Sequence, residues 1–154
     1  GAYHDINDKW SVMAEFGRTY WSSFDTLDIY GENNGKMSTT EERWKDTTFY
    51  AIGASYQYND QWKFRVGFAV DQSAVGQEYR TPRIPDSDRL WYSSGIEYKY
   101  NDDWTFNLGY TYIRADKGKV KLLGYHDGDN ARGSLQADYE NDIHILGFGA
   151  SYNF

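Results

Sequence analysis

Side chains able to do acid–base, nucleophilic or metal chemistry are few in this sequence. It contains three histidines, His4, His126 and His144, and no cysteine. No histidine stands in a spaced motif with a serine or a carboxylate, and no phosphate-binding, G-x-S-x-G or H-E-x-x-H pattern occurs. The run Asp127–Asn130 begins like a calcium loop, but Arg132 replaces the sixth-position glycine and the terminal glutamate is missing. We therefore predict that the chain is not an enzyme, has no cofactor and holds no metal.

Binding chemistry is better represented, because charged and apolar side chains alternate. One set occupies every second position: Trp62, Phe64, Val66, Phe68 and Val70. The positions between them carry Lys63, Arg65, Gly67, Ala69 and Asp71. The same period of two runs through 104–113 and 145–154, and it predicts strands with one apolar and one polar face.

The elements that position these faces follow from a repeat. An Asn-Asp pair stands between two aromatic runs at Asn7, Asn59 and Asn101, each time followed closely by a tryptophan. Asn and Asp tolerate turn conformations and bond their own backbone, so each pair predicts a hairpin turn. The chain therefore reads as a meander of antiparallel hairpins.

Composition selects among the β folds. Aromatic residues make up 19% of the 154 residues, with 15 tyrosines, and the formal net charge of -7 argues against nucleic acid as a partner. No run approaches the ~20 apolar residues of a membrane-spanning helix. Trp and Tyr cluster at strand ends beside the turns, as in the aromatic girdle of a transmembrane β-barrel. A tyrosine-rich extracellular β-sandwich is the alternative.

The strand count indicates an incomplete barrel. We predict a stub at 1–6 and six strands at about 9–32, 41–59, 62–73, 88–101, 104–115 and 136–154. Turns on one side of the membrane require an even number of strands between them, so 9–32 is predicted as one strand bent at Ser22–Ser23. Splitting it there into two strands is the alternative, which we reject because it would put the Asn7–Asp8 turn on the opposite side from the other two. Single-chain barrels start at about eight strands, so other strands must complete the sheet.

Several motifs resemble one family. Tyr20–Phe24, Trp44–Asp46, the stretch from Gly53 to Trp62 and especially Arg83–Trp91 look like the C-terminal region of the FadL-type transporters. The resemblance implies an antiparallel transmembrane β-barrel of fourteen strands in the bacterial outer membrane, with residues 1–154 as its C-terminal portion. The N-terminal hatch and the first strands would be absent from this chain. The implied function is diffusion-driven uptake of long-chain fatty acids or other hydrophobic compounds.

The resemblance also implies a wall that accepts an apolar tail and a carboxylate. Apolar residues in inward register are Met13, Phe49, Trp91, Ile113 and Ile145. They would line a substrate pocket or, alternatively, pack against the hatch. The candidate carboxylate ligands are Lys63, Arg65, Arg43 and Lys45. The alternative for these bases is an ion network with Glu15, Asp71 and Glu97.

Two further sets receive structural roles. The motif residues Ile84, Pro85, Asp86, Asp88, Arg89 and Trp91 are predicted to fix the junction between a long loop and a strand. The alternating C-terminal residues Phe148, Tyr152 and Phe154 match the signal read by the barrel assembly machinery. Expected partners are the remaining strands and hatch, outer-membrane lipid and lipopolysaccharide, that machinery and a hydrophobic small molecule. A self-standing small barrel, or a truncated barrel-assembly substrate, is the alternative function.

Overall fold

The computed structural model describes residues 1–32, 35–77, 79–124 and 133–154. It consists of strands joined by turns and one short 3-10 helix at Trp21–Ser23. The strands are β1 (Ala2–Asp5), β2 (Trp10–Thr19), β3 (Thr26–Tyr30), β4 (Lys36–Glu41), β5 (Thr47–Gln57), β6 (Trp62–Asp71), β7 (Arg89–Lys99), β8 (Trp104–Ala115), β9 (Gly118–Leu122), β10 (Leu135–Tyr139) and β11 (Asp142–Tyr152). Within the described residues, no helix is both long and apolar enough to span a bilayer.

Seven strands form one antiparallel sheet in the order β1-β2-β5-β6-β7-β8-β11. Within the described ranges, β1 and β11 each pair on one side only, so they are the two edges of the sheet. Six long strands and a four-residue stub are the number that the sequence predicts. The sheet is a segment of a barrel wall rather than a closed cylinder.

The Asn-Asp turns are closed by their asparagines. Asn59 Oδ1 accepts the amides of Gln61 and Trp62 at 3.0 and 2.9 Å. Asn7 and Asn101 make the same pair of bonds to the amides two and three residues further on. All three turns lie at one end of the sheet, which we call the turn end; the opposite end is the loop end. The prediction that an even number of wall strands separates any two of these turns is therefore confirmed.

Two hairpins at the loop end differ from the prediction. The strand expected at 9–32 stops at Thr19, the 3-10 helix follows at the predicted bend, and β3 pairs with β4 in a separate two-stranded sheet. The strand expected at 136–154 likewise divides, because β10 pairs with β9 and only β11 joins the main sheet. The bend is a full break, but neither extra hairpin adds a strand to the wall.

Asp46 ties the 3-10 helix to the start of β5. Its Oδ1 accepts the Ser22 amide at 3.1 Å, and its Oδ2 lies 3.4 Å from Arg18 Nη2. Hydrogen bonds from the Ser22 hydroxyl and amide, with a smaller contribution from Arg18, hold the pKa of Asp46 below its ordinary value.

We expect acidification to release the helix from β5. Because the folded-state pKa is lowered, the contribution of Asp46 is complete above the unfolded-state pKa and is lost as pH falls through the folded-state value. Hydrogen exchange of residues 21–24, corrected for intrinsic rates, should show more opening at about pH 3 than at about pH 6. Asp46→Asn should remove most of that difference; an unchanged pH dependence in this variant would contradict the assignment.

The outer face of the sheet carries the apolar set. Girdle residues meet across neighbouring strands near the turn end, with ring centroids 4.6 Å apart for Trp10–Tyr56, 4.4 Å for Trp62–Tyr98 and 4.9 Å for Trp104–Tyr152. Leu146 and Phe148 are 74% and 75% exposed. An apolar face open to the surroundings on a single sheet is wrong for a β-sandwich and right for a lipid-facing wall.

A small core lies at the loop end. Its buried apolar residues are Ala69, Ala74, Val75, Ile113, Val120 and Leu122. Two belong to the wall, two to β9 and two to the connection 72–88, which we call the strap. The strap and the β9–β10 hairpin therefore pack together over the rim of the sheet.

Candidate binding site on the inner face

The inner face of the sheet is the one from which Lys63 and Arg65 project. Registered pairing places all five predicted apolar residues on it: Met13, Phe49, Trp91, Ile113 and Ile145. Trp91 stands between Ala69 and Ile113 in neighbouring strands, and Ile113 is only 3% exposed. These three residues form one apolar patch near the loop end of the inner face.

The remaining apolar residues do not join that patch equally. Met13 lies on β2 and Ile145 on β11, five strand spacings apart, or about 24 Å along the sheet. Phe49 lies opposite Asp71, two residues nearer the loop end than Ala69. Ile143, which the sequence interpretation omitted, pairs with Ile113 and extends the patch. Ile143 stands two residues before Ile145, and this period of two is the sequence signal that could have identified it.

The four predicted bases are divided between two places. Lys63 and Arg65 lie in the half of β6 nearer the turn end, whereas Arg43 and Lys45 lie at the loop end against the strap. The backbone amide of Lys45 donates to the Ala74 carbonyl at 2.8 Å. A single ligand head group therefore cannot contact all four side chains, and two of them are already neutralised.

Arg65 and Arg43 are the two bases that already form an ion pair with a carboxylate. Arg65 bonds to Glu97 in an ion pair and also lies 3.4 Å from Asn107 Oδ1. Arg43 Nη2 lies 3.3 Å from Glu41 Oε2, and its guanidinium stands over the Tyr79 ring. Within the described residues Lys63 and Lys45 have no ion pair, although Lys63 faces Glu97 in register. Lys45 and Lys63 are thus the better placed of the predicted carboxylate ligands.

The loop–strand motif staples the strap to the wall. Asp88 Oδ1 accepts the Ser73 amide at 2.7 Å, and Asp86 Oδ2 accepts the Ser73 hydroxyl at 2.8 Å. Arg89 lies 3.0 Å from Asp71 and 3.6 Å from Asp86. Ile84 forms an isolated β-bridge with Thr81, and Pro85 lies between that bridge and Asp86. Both ends of the strap are therefore fixed by side chains from one segment.

The other predicted sites lie away from the inner face. Phe148 and Tyr152 are on the outer face and Phe154 packs on Tyr152, with ring centroids 5.2 Å apart. Their reading by the assembly machinery stays a prediction. His144 also faces outward, where its Nδ1 lies 2.7 Å from the Tyr110 hydroxyl. The described ranges hold no group of three acidic or histidine side chains suited to a metal. His126, Asp127–Asn130 and Arg132 lie outside those ranges.

Comparison with known proteins shows the same architecture. The family model described as outer membrane protein transport protein (OMPP1/FadL/TodX) matches residues 1–154. The long-chain fatty acid transport protein of Escherichia coli O6:H1 strain CFT073 is 30% identical over 152 residues, covering 99% of this chain and 32% of that protein. Outer membrane protein P1 of Haemophilus influenzae is 31% identical over 155 residues, covering 99% of this chain and 33% of P1.

Solved structures agree. A Pseudomonas aeruginosa FadL homologue superposes with a TM-score of 0.88 at 27% identity, over 97% of this chain and 34% of the homologue. The Pseudomonas putida toluene transporter TodX gives 0.60 at 22% identity, over 99% of this chain and 33% of TodX; that likeness shows the fold alone. The chain thus spans about a third of the length of the relatives it matches.

Proposed function

The chain belongs to the OMPP1/FadL/TodX family of outer membrane transport proteins, and from that membership we propose that it forms part of the wall of a channel for hydrophobic compounds. Its location is the outer membrane. Apolar residues in inward register carry the proposal, among them Trp91, Ile143 and Ile145, because they place apolar side chains on the inner face as well as on the lipid side. Relatives with named activities are transport proteins and channels, which supports transport rather than catalysis.

Long-chain fatty acids are the substrate we favour over monoaromatic hydrocarbons. The fatty acid transport protein of Escherichia coli O6:H1 is 30% identical over 99% of this chain. Lys63 on the inner face and Lys45 at the loop end are bases to which a carboxylate can bond and a hydrocarbon cannot. The tail would lie along exposed inward-facing apolar residues such as Ile143 and Ile145, with the head group near a base.

The complete channel requires more than this chain. We propose that further strands pair with β1 and β11, and that a hatch fills the inner side of the wall. Unpaired edges in hydrocarbon leave backbone amides and carbonyls without partners, which argues against a self-standing small barrel. Lipid and lipopolysaccharide would cover the outer face, and the assembly machinery would insert the barrel through its last strand.

Uptake measurements test this function. Cells that lack an endogenous transporter and express the complete barrel should accumulate labelled oleate faster than cells with an empty vector. Toluene uptake measured in the same cells is the comparison for substrate class. Uptake of both oleate and toluene equal to that of the vector would overturn the proposal. Faster toluene than oleate uptake would replace the substrate.

A gel experiment separates the complete-channel proposal from the self-standing alternative. The chain and a fragment carrying the remaining strands should migrate unboiled as a folded, heat-modifiable species only when they are mixed in detergent. A folded species from this chain alone would support the alternative.

The Arg65–Glu97 pair makes a prediction of its own. We expect Glu97→Gln to leave oleate uptake within about twofold and to lower stability by about 1 kcal/mol or less, since the pair is partly exposed. Glu15→Gln, which removes an inner-face carboxylate with no ion pair in the described ranges, is the matched control. A several-fold rise in uptake for Glu97→Gln alone would instead show that releasing Arg65 creates a carboxylate ligand.

A further inference from the structure

We propose that the outer face of β7, β8 and β11 carries a binding site for one molecule of lipopolysaccharide, with a lipid A phosphate bonded to Arg114. One acyl chain of that molecule lies in a hollow between Arg114 and the turn end. The site faces lipid and is separate from the path of a transported compound, so it goes beyond the proposed channel function.

An open hollow of about 520 Å³ lies on the outer face of the wall. The outward-facing residues that line it are Ser94, Tyr92, Tyr110, Tyr112 and His144. Ser94 stands in register between Val66 and Tyr110, so one small side chain lies between two larger ones. Because the outer surface of a barrel is convex, a hollow there requires such a small residue. Its volume is that of a ligand pocket.

The end of the hollow nearer the loops is polar. The His144 ring lies over the Tyr112 ring with centroids 4.9 Å apart, and its Nδ1 lies 2.7 Å from the Tyr110 hydroxyl. The other ring nitrogen, Nε2, has no hydrogen-bond partner among the described residues. Tyrosine and histidine present an apolar body and a polar tip, which suits them to the boundary between hydrocarbon and head groups.

Arg114 supplies the positive charge at this boundary. It follows Tyr112 on the same face of β8 and is exposed. It stands ten residues beyond Trp104, which is about 25 Å along the membrane normal for strands tilted by about 40°. The apolar band of such barrels is also about 25 Å tall. Arg114 therefore lies at the level of the head groups.

No carboxylate of the described ranges forms an ion pair with Arg114. Asp142 stands opposite it in register, but the Asp142 carboxylate instead accepts the Tyr112 hydroxyl at 3.0 Å. A guanidinium forms strong, often bidentate bonds with phosphate. The charge on Arg114 is therefore free to bind an anionic head group.

Lipopolysaccharide combines the features that this site selects. Long loops of outer-membrane barrels are extracellular, so Arg114 and the polar end of the hollow meet the outer leaflet, where lipopolysaccharide replaces phospholipid. Lipid A carries phosphates directly on sugar rings. The tyrosine hydroxyls and the free histidine nitrogen can bond sugar hydroxyls, while the tyrosine rings can pack on the apolar faces of a sugar.

A second hollow on the outer face provides an internal comparison. It lies nearer β1, its lining includes Ala14 and Ala54, and no arginine or lysine lines it. Arg18 lies on the same face nearer the loop end, but its Nη2 is 3.4 Å from Asp46 Oδ2. This hollow can hold an acyl chain but has no free cation beside it for a phosphate.

Native mass spectrometry of the purified complete barrel, titrated with lipid A or with phosphatidylglycerol, measures the two affinities. Lipid A should bind about tenfold more tightly than phosphatidylglycerol. Arg114→Gln should lower the affinity for lipid A by about tenfold, and Ser94→Phe, which fills the hollow, by several fold. The matched controls Arg18→Gln and Ala54→Phe should stay within about twofold of the unchanged protein.

Unchanged affinity for lipid A in both Arg114→Gln and Ser94→Phe would overturn the proposal, as would equal losses in the two controls. Phosphatidylglycerol binding as tightly as lipid A would overturn the choice of lipopolysaccharide. Heat-modifiable mobility on unboiled gels shows that each variant is folded. Oleate uptake by Arg114→Gln should stay within about twofold, because the site lies on the lipid side; the failure of this site is thus separable from the failure of transport.

Discussion

Leu108→Arg is expected to destabilise the inserted barrel by about 2–4 kcal/mol, because it places a guanidinium on the outer face near the middle of the bilayer. Leu108 lies between the Trp104 girdle and Tyr110, in register with Ile96 and Phe148. An arginine there either loses hydration or drags water and head groups inward. Urea titration of the complete barrel in lipid vesicles measures the loss.

The neighbouring residue provides the control for this prediction. Gly109 stands at the same depth but faces inward, and a Cβ there would meet the Ser94 carbonyl oxygen at an ordinary 4.0 Å. Gly109→Arg should therefore cost clearly less than Leu108→Arg, because the depth-dependent penalty on charges applies to the lipid face and not to the lumen face. Equal losses from both variants would mean that the two faces have been assigned wrongly.

Val120→Asn should open the core at the loop end. Val120 is 2% exposed, so the substitution removes its apolar contacts and buries an amide without arranged partners. The two effects together should lower the stability of the strap and β9 by about 3 kcal/mol or more. Hydrogen exchange of residues 72–77 and 118–122 should rise, while heat-modifiable mobility shows that the wall is still folded.

Lys121→Asn tests whether burial is the cause. Lys121 is the next residue along β9 and is exposed, so the same new side chain meets water there. Its exchange should match that of the unchanged protein. If the two asparagine variants behave alike, the strap does not depend on this core.

The main sheet could be read from the sequence because its signals are local. Asn59 bonds amides two and three residues away, so the turn depends on chemistry visible in a few letters. Once the turn is placed, a period of two assigns Phe64 outward and Arg65 inward without knowledge of any other strand. Register errors accumulate only where long connections intervene.

The loop-end hairpins could not be read in the same way. Thr26–Tyr30 alternates like a wall strand, and nothing in those five residues states that their partner is Lys36–Glu41. The break before them is held by Asp46, 24 residues from Ser22. That contact exists only after the wall has brought the end of β2 beside the start of β5.

The site was predictable by face but not by distance. Alternation placed Met13 and Ile145 on the inner side, but their separation depends on how many strands lie between them. Arg80 and Ser87 lie in an irregular, proline-containing connection where no periodicity marks burial. Their burial, at 6% and 5% exposure, becomes visible only in the folded structure.

The two inserted hairpins also bear on how quickly the wall can assemble. Thr26 pairs with Glu41, and Gly118 with Tyr139, so each insertion begins and ends at nearly the same point in space. If these hairpins form first, the flexible chain that must connect β2 to β5, or β8 to β11, is much shorter. Each halving of a flexible loop lowers the entropic cost of closing it by roughly 0.6 kcal/mol. Local nuclei of this kind lower the effective contact order, so nascent strands spend less time as exposed, aggregation-prone edges.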